Sequence, residues 1–492
     1  MSKPTKTTDT QLMDKLVSLA KRKGFVFQSS EIYGGLNGAW DYGPLGVDLL
    51  RNIKDEWWKA MTYREDVEGI DAAILMHPRV WEASGHVENF TDPMVDCKQC
   101  KARYRVDILF EELSIKKQKD VLRELEPDKF QGQQKDEIIA EEFKKRVETS
   151  QNLLLSALSC PNCGNKGTFT DARKFNLMFK TFVGPVEDTS AVVYLRPETA
   201  QGIFINFLNV QSASRQKLPF GIAQIGKAFR NEINTKNFLF RTREFEQMEM
   251  QYFVKPGTDE KFFEYWREQR WQWFVNLGVQ KEKLQWHRHE KDKLAHYAKD
   301  AYDIEYQFPF GWGEIEGIHN RTDFDLSHHE QFSGKGLKYF DEETKEKFTP
   351  FIIETSAGAS RSFMAFLVDA YAEEEAPSAE GKMEMRTVLK FHPKLAPVKA
   401  AIFPLVNRDG MPEISRKLED ELRPHMRVFY DDAGAVGRRY RRQDEAGTPF
   451  CITVDSQTLQ DQTVTVRDRD SMVQERVASS QLLSYLQQKL RG

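Results

Sequence analysis

Residues 226–253 read GKAFRNEINTKNFLFRTREFEQMEMQYF. Two apolar runs flank a polar turn over 234–237, which predicts two strands and a connection. From Arg243 onward, strict alternation puts Arg243, Phe245, Gln247, Glu249, Gln251 and Phe253 on one face. Glu244, Glu246, Met248, Met250 and Tyr252 fall on the other. Neither face is the apolar stripe of a purely structural strand, and a row of amides and carboxylates between aromatics suits the wall of a polar pocket. Arg230 and Glu232, two apart on the preceding run, are expected to share a face, where an arginine fork could neutralise a phosphate. A hairpin with surface ion pairs explains the same residues, and this stretch alone leaves both readings open.

Residues 351–371, FIIETSAGASRSFMAFLVDAY, supply a second constellation. An apolar strand runs into the small residues 356–360, and Arg361 then opens a helix carrying Phe363, Phe366 and Leu367. Small residues at a helix start let backbone N–H groups approach an anion. Arg361 in the first turn opposes the helix dipole, so its position asks for compensation. Packing alone also produces such turns.

Working outward, 492 residues exceed one compact core and predict two or three domains. Apolar residues at 40% and charged residues at 30% mark a globular chain, and a formal charge of −4 excludes a bulk polyelectrolyte. Nucleic-acid binding would therefore rest on local clusters. The polar start MSKPTKTTDT lacks a secretory signal, and no apolar run spans a bilayer, so a cytosolic protein without membrane contact is expected. The first ten residues read as a loose tail, followed by a helix with Leu12, Leu16 and Leu19 on one face. IYGGLNGAWDYGPLG (32–46) reads as a shaped loop, and Leu45, Leu49, Ile53 and Trp57 as one face of a helix. VEGIDAAILMHP (67–78) reads as a strand ending near Pro78, and Pro197 and Glu198 stand where a helix would begin. The densely charged stretch 111–150 reads as an insertion of solvated helices, and 371–387 as a surface loop. After FHPKLAPVK the strands AAIFPL, RVFYDD, FCITV and TVTVRDR alternate with helices, predicting a separate α/β domain. The expected division is 1–96 and 164–395 as a core, 97–163 as a knuckle-and-insertion region, and 396–492 as that last domain.

Together these pieces resemble the catalytic core of the class II aminoacyl-tRNA synthetases. FRNE with FRTREFEQMEMQYF resembles motif 2, and GASR entering a helix resembles motif 3. The helix from Leu45 and the strand ending at Pro78 resemble motif 1, the family's dimer element. IYGGLNGAWDYGPLG, VWEASGHVENFTDPMVDC, YLRPETAQGIF, GEIEGIHNRTDFDL and ETSAGASR narrow the resemblance to homodimeric glycyl-tRNA synthetases, over almost the whole chain. The resemblance implies an α+β core built on an antiparallel sheet flanked by helices, with an insertion and a C-terminal α/β anticodon-binding domain. It implies a glycine–tRNA ligase using ATP and Mg2+, with glycine and tRNA(Gly) as partners and a homodimer as the assembly.

Carried onto this chain, the resemblance assigns the catalytic roles to Arg230, Glu232 and Arg361. Arg230 would hold the α-phosphate and Glu232 would help fix the adenine side; Phe245 would stack on the adenine, with Arg361 clamping from the other side. Asn231, Phe240, Arg241, Thr242, Arg243 and Glu244 complete the motif-2 ATP contacts; Glu314, Ile315, Gly358, Ala359 and Ser360 complete the rest. Glycine would meet Arg105, Glu198, Phe245, Glu246, Gln247, Met248 and Glu249. Glu354, Thr355, Ser356, Ala357 and Gly358 would close the set, with Arg321 a weaker addition. Glycine offers only an ammonium and a carboxylate, so carboxylates and donors must read it, and excluding larger side chains sterically needs no editing domain.

CKQC and CPNCGNKG place Cys97, Cys100, Cys160 and Cys163 at the knuckle spacing of a four-thiolate structural zinc site, although the gap between the pairs is long. Cys451 reads as a core residue. The C-terminal domain carries a net charge of only +1, so RNA contact there would rest on GRRYRRQDE. Arg438, Arg439, Arg441 and Arg442 around Tyr440 form a mixture suited to phosphates and an unstacked base; a solvated helix face is the alternative. The rival functions are a catalytically silent relative and a sister synthetase for threonine, proline or histidine.

Overall fold

The computed structural model describes residues 9–130, 134–235, 237–290, 294, 298–377 and 382–491; most of the expected N-terminal tail, 1–8, lies outside them. The chain forms two compact units, a larger one (to 74, 198–228 and from 237) and a smaller one (75–197 and 229–236).

The larger unit is built on a seven-stranded sheet of β1 (Val67–Gly69), β2 (Phe220–Phe229), β3 (Glu244–Val254), β4 (Leu284–Arg288), β5 (Asp300–Phe308), β6 (Gly311–Thr322) and β7 (Phe351–Gly358). Its spatial order is β4-β5-β6-β7-β3-β2-β1. The run from β4 to β3 is antiparallel, whereas β1 lies parallel on β2. Helices α1 (Pro44–Thr62), α2 (Ala200–Ile205), α3 (Asp259–Asn276), α4 (Phe324–Ser333) and α5 (Ala359–Ala370) cover it. On one side Ile53 and Trp57 of α1, Trp266 and Phe274 of α3 and Phe363 of α5 pack on Met248, Met250, Ile318 and Ile353. On the other, Ile203 and Phe204 of α2 and Leu326 of α4 pack on Phe220, Ile222, Phe253 and Ile352. A sheet covered on both faces buries both residue sets of β3, which is why its sequence shows no single apolar stripe.

Some local readings are corrected. Of 67–78 only Val67–Gly69 is strand, Leu75 makes an isolated bridge to Leu195, and Pro78 opens a helix, Pro78–Ala83. The apolar character there signals burial, not a ladder. The first helical residue after Glu198 is Ala200; Thr199 precedes it without a side-chain cap, its hydroxyl donating instead to Glu249. The stretch 371–387 belongs to a hairpin, β8 (Tyr371–Pro377) with β9 (Met383–Leu389); its tip, 378–381, lies outside the described residues. Its acidic strand is balanced by basic neighbours, Glu373 by Lys15 and Glu374 by Arg386 and Lys390.

The chain then forms β10 (Ala400–Pro404), α6 (Met411–Leu422), β11 (Val428–Tyr430), α7 (Val436–Ala446), β12 (Phe450–Val454), β13 (Thr463–Asp468) and β14 (Gln474–Ala478). The sheet order is β11-β10-β12-β13-β14, with β10 parallel to both neighbours and β13 antiparallel to both of its own. The four expected strands are present. β14 escaped notice because QERVA is mostly polar and exposed. Cys451 is buried beside Phe403, as a core residue should be.

The smaller unit has a three-stranded sheet, Arg103–Arg105, Thr91–Asp96 and Arg173–Asn176. Helices Ile115–Leu125, Asp136–Thr149 and Gln151–Ala157 bury Leu122, Ile139, Phe143 and Leu154 against Val95 and Phe110. The charged stretch 111–150 therefore has a core of its own. Its few apolar residues sit at helical spacing among many lysines and glutamates, which hides them from a composition count.

Candidate active site

Register explains how a pocket wall arises. Gln247, Glu249 and Gln251 of β3 stand opposite Gly358, Ser356 and Glu354 of β7, and Ser356 and Glu354 in turn face Gly317 and His319 of β6. With a side-chain period of two, these residues share the α2 side of the sheet. The Gln247 amide oxygen accepts from the Thr199 backbone N–H (3.1 Å), and its nitrogen donates to Ser356 Oγ (3.3 Å). Glu249, 2% exposed, accepts from the Thr199 hydroxyl and from Gln251 Nε2 (3.1 Å). The same Gln251 nitrogen donates to Glu354 Oε2 at 2.6 Å, so one amide bridges two carboxylates. Glu354 meets His319 Nδ1 (2.6 Å) and Arg321 Nη1 (3.1 Å), and Arg321 is held by Asp325 of α4 at 2.7 and 2.9 Å. Glu198 accepts from Gln201 Nε2 at 2.8 Å.

The two carboxylates titrate in opposite directions. Burial, with Glu354 and Glu198 nearby, pushes Glu249 well above the usual carboxylate range. Burial also works against charge on Glu354, but Arg321 and His319 outweigh it and hold that carboxyl low. Burial opposes the charged form of His319, yet its contact with Glu354 raises its pKa overall.

The opposite face carries the other expected glycine contacts. Glu246 pairs with Lys54 of α1 at 2.9 Å, and Met248 and Ala357 lie in the first core. Thr355 stands in register between Met250 and Ile318 on that same face. These four side chains are turned away from the row containing Glu249, because every second residue of a strand must be.

Arg361 sits at the start of α5 with Cζ 4.4 Å from the centroid of the Phe240 ring. Its Nε donates to Phe240 O (3.1 Å), and Nη1 to Glu314 O (3.1 Å) and Glu314 Oε2 (3.0 Å). The compensation its position asks for thus comes from the protein. Phe240 is a ring that carries Arg361. A Cβ on Gly313 would come within 2.7 Å of that ring, so glycine there admits it. Ile315 is buried in the core and can offer a ligand only its backbone. Ser360 Oγ accepts from the Tyr42 hydroxyl at 3.0 Å, Thr242 Oγ1 donates to Glu244 O at 3.0 Å, and Glu244 pairs with Lys227. The Arg243 guanidinium donates to Asn37 O and its backbone N–H to Gly38 O, which pins the 32–46 loop.

The smaller unit holds Arg230, Asn231, Glu232 and Arg105. Arg230 and Glu232 lie beyond the end of β2 and not on a strand face. Arg230 donates to Pro197 O at 3.1 Å, with Cζ 5.4 Å from the Phe90 centroid, and Asn231 N–H bonds Leu177 O. Arg105 is clasped by Asp92 and Asp107, and the nearby Glu232 adds to the negative field on it. In the same unit Cys97, Cys100, Cys160 and Cys163 bring their sulfurs within 4.8 Å of one another, with Cys97–Cys163 and Cys100–Cys160 both at 3.7 Å. Four thiolates on one tetrahedral zinc ion at 2.3 Å would stand about 3.8 Å apart, so this donor set fits zinc.

In the C-terminal domain the basic run splits. Arg439 is buried and donates to the carbonyls of Pro404, Asp432 and Gly434, and Tyr440 packs on Phe403 with its hydroxyl on Thr453. Those contacts serve the domain's own structure, although the half-buried Tyr440 also lines the cavity beside Arg438. Arg442 pairs with Asp431, while Arg438 and Arg441 line a cavity of about 510 Å³ shared with Arg467 and with Glu384 of β9.

Thr199, His319 and Asp325 are the site residues that sequence reasoning missed. No local pattern marks them, since each comes from a different element and meets the others only through the sheet register.

A polar row on an antiparallel sheet, an arginine at the start of the helix leaving that sheet and an appended five-stranded α/β domain define a class II aminoacyl-tRNA synthetase. Residues 183–371 match the class II tRNA synthetase core domain of the G, H, P, S and T type, and 399–489 match the anticodon binding domain. The chain is 54% identical to the glycine–tRNA ligase of Treponema denticola, over 98% of this chain and 97% of that one. It is 52% identical to those of Streptomyces coelicolor (98% and 99%) and Borreliella burgdorferi (97% and 97%). The chain belongs to the glycine–tRNA ligase family.

Proposed function

We propose that this chain performs its family's reaction, joining glycine to the 3′ end of tRNA(Gly), and that glycine sits on the row Gln247–Glu249–Gln251 against Glu354 and Ser356. The observation that carries the site is the convergence of Glu249 and Glu354, both buried, on one Gln251 amide. The buried carboxylates suit an ammonium, and Gln247 and Ser356 are placed to offer donors. The glycine carboxylate attacks the α-phosphorus of ATP; the new P–O bond forms as the bond to the β-phosphate oxygen breaks and diphosphate leaves. The tRNA hydroxyl then attacks the glycyl carbonyl and AMP departs.

Arg361 on Phe240 offers a planar cation to the nucleotide, and Arg230, Asn231 and Glu232 are proposed as phosphate and adenine ligands. Magnesium travels with the triphosphate and neutralises its charge; the protein supplies positioning. The domain division expected from the sequence is retained as a proposal, as are a homodimer and a cytoplasmic setting. Among the described residues no helix is long and apolar enough to cross a membrane.

Diphosphate exchange into ATP, run with each of the twenty amino acids, tests the reading. Exchange with glycine alone is expected; exchange with alanine or serine but not glycine would overturn it. The four cysteines are proposed to hold a structural zinc ion, so metal analysis should return about one ion per chain. For tRNA, Arg438, Tyr440 and Arg441, which line one cavity, and the exposed Arg442 are the proposed contacts; Arg439 is left out because its guanidinium is buried on backbone carbonyls of its own domain.

A further inference from the structure

Glu249 is ringed by charges that do not balance. From its own strand and from the chain before α2 it receives only neutral donors, the Gln251 amide and the Thr199 hydroxyl. The Glu198 carboxylate acts on it from the chain just before α2, and Glu354 of β7 stands across the shared amide. The Arg321 cation of β6 favours charge on Glu249 but is bonded to Glu354 and to Asp325 of α4. His319 of β6 is also spent on Glu354. On α4, His329 faces Gln201, and its buried ring is kept neutral by desolvation. Behind His319 the Asp303 carboxylate is paired with His289. These cationic side chains are bonded to Glu354, Asp325 or Asp303; Arg321 acts on Glu249 only through space, and among the described residues the hydrogen bonds Glu249 accepts come from Thr199 and Gln251. An ionised carboxylate in that position, 2% exposed, carries a large desolvation penalty.

Resting on the glycine site proposed above, we infer that the ligand-free pocket keeps a proton on Glu249 and that the ammonium of glycine takes that proton's place. The balance is simple. Zwitterionic glycine enters, the Glu249 O–H bond breaks, one proton passes to solvent, and the ammonium N–H groups donate to the carboxylate left behind. The raised titration of Glu249 and the lowered titration of Glu354 agree with this division of roles. The pocket then selects its substrate partly by charge, because a ligand of glycine's shape without the ammonium leaves the proton where it is.

Calorimetry of glycine binding to the full-length protein, at one pH in two buffers of different ionisation enthalpy, reads the proton directly. Release of one proton per glycine is expected, with glycine affinity rising about tenfold per pH unit below the Glu249 titration and levelling above it. Glycolate, which carries a hydroxyl in place of the ammonium, should bind without release. Glu249→Gln should abolish release, whereas His319→Gln should leave it. If Glu249→Gln binds glycine too weakly for calorimetry, infrared difference spectra of the wild type replace it. The carbonyl stretch of a protonated carboxyl should be present without ligand, bleached by glycine and missing from the variant. Normal glycine binding with no proton released, release that persists in Glu249→Gln, or no such stretch would each overturn the inference. The site reading fails separately, if glycine-dependent exchange survives intact in Glu249→Gln and Ser356→Ala.

Discussion

Two buried charge clusters in this molecule look alike in composition and differ in what they leave undone. In the first, Arg386 of β9 donates to Asp444 of α7 at 3.0 Å, to Arg469 O at 3.0 Å and to Glu374 of β8. Asp444, fully buried, also takes Arg467 of β13 (2.9 and 3.3 Å) and Arg441 (3.0 Å). Arg469 spends its donors on Gly447 O, Phe391 O and Asp470. The cluster is saturated, and it clasps the β8–β9 hairpin to the C-terminal domain. In the second, Arg321 and His319 satisfy Glu354, while Glu249 is left with an amide and a hydroxyl. Saturation marks a structural clasp. A buried acidic group lacking a cation marks a place where a cation belongs.

The comparison breaks most visibly at Asp444. Asp444→Asn leaves arginines buried against a neutral group and should cost about 3–5 kcal/mol in urea unfolding, while glycine-dependent exchange per folded molecule stays near wild type. Lost exchange with full stability would reverse the assignment. Glu249→Gln should do the opposite, raising the KM for glycine roughly 10- to 150-fold through a lost charge-assisted bond worth about 1.5–3 kcal/mol. Its stability without ligand should not fall.

The sign follows from titration. A carboxyl raised by folding contributes stability that is present below its unfolded value, about 4.3, and lost as pH climbs through the folded one. Melting curves at acid and neutral pH should therefore lose that slope in the glutamine variant. A smaller effect is expected at Arg361→Lys, which keeps the charge but gives up the planar fork over Phe240; the KM for ATP should rise roughly 3- to 30-fold with that for glycine little changed. The smallest lies at Arg438→Ala, where the salt dependence of tRNA binding should flatten by about one phosphate contact and exchange should not change. An unchanged salt slope there would remove Arg438 from the RNA surface.

Much of this was readable in the chain. The alternation of Gln247, Glu249 and Gln251 is a property of one strand, and a period of two survives any tertiary context. Arg361 after a run of small residues is equally local. What the residues did not disclose is long-range. Thr199, His319 and Asp325 join Glu249 and Glu354 only because β3, β7 and β6 are neighbours in a particular register, and no local spacing encodes a register. The basic run at 437–445 misled for a related reason. Side chains a few residues apart on α7 face different surroundings, so Arg439 turns into carbonyls of its own domain while Arg438 stays exposed. The acidic stretch after Tyr371 looked like a loop because its strands are matched by ion pairs from Lys15, Arg386 and Lys390 in place of an apolar alternation.

A crystal structure of the protein with a non-hydrolysable glycyl-adenylate analogue tests the charge argument most directly. The ammonium nitrogen is expected within about 3.2 Å of a Glu249 oxygen, with the Arg386–Asp444 clasp unmoved. An ammonium turned away from Glu249, with that carboxyl still held only by Thr199 and Gln251, would contradict it.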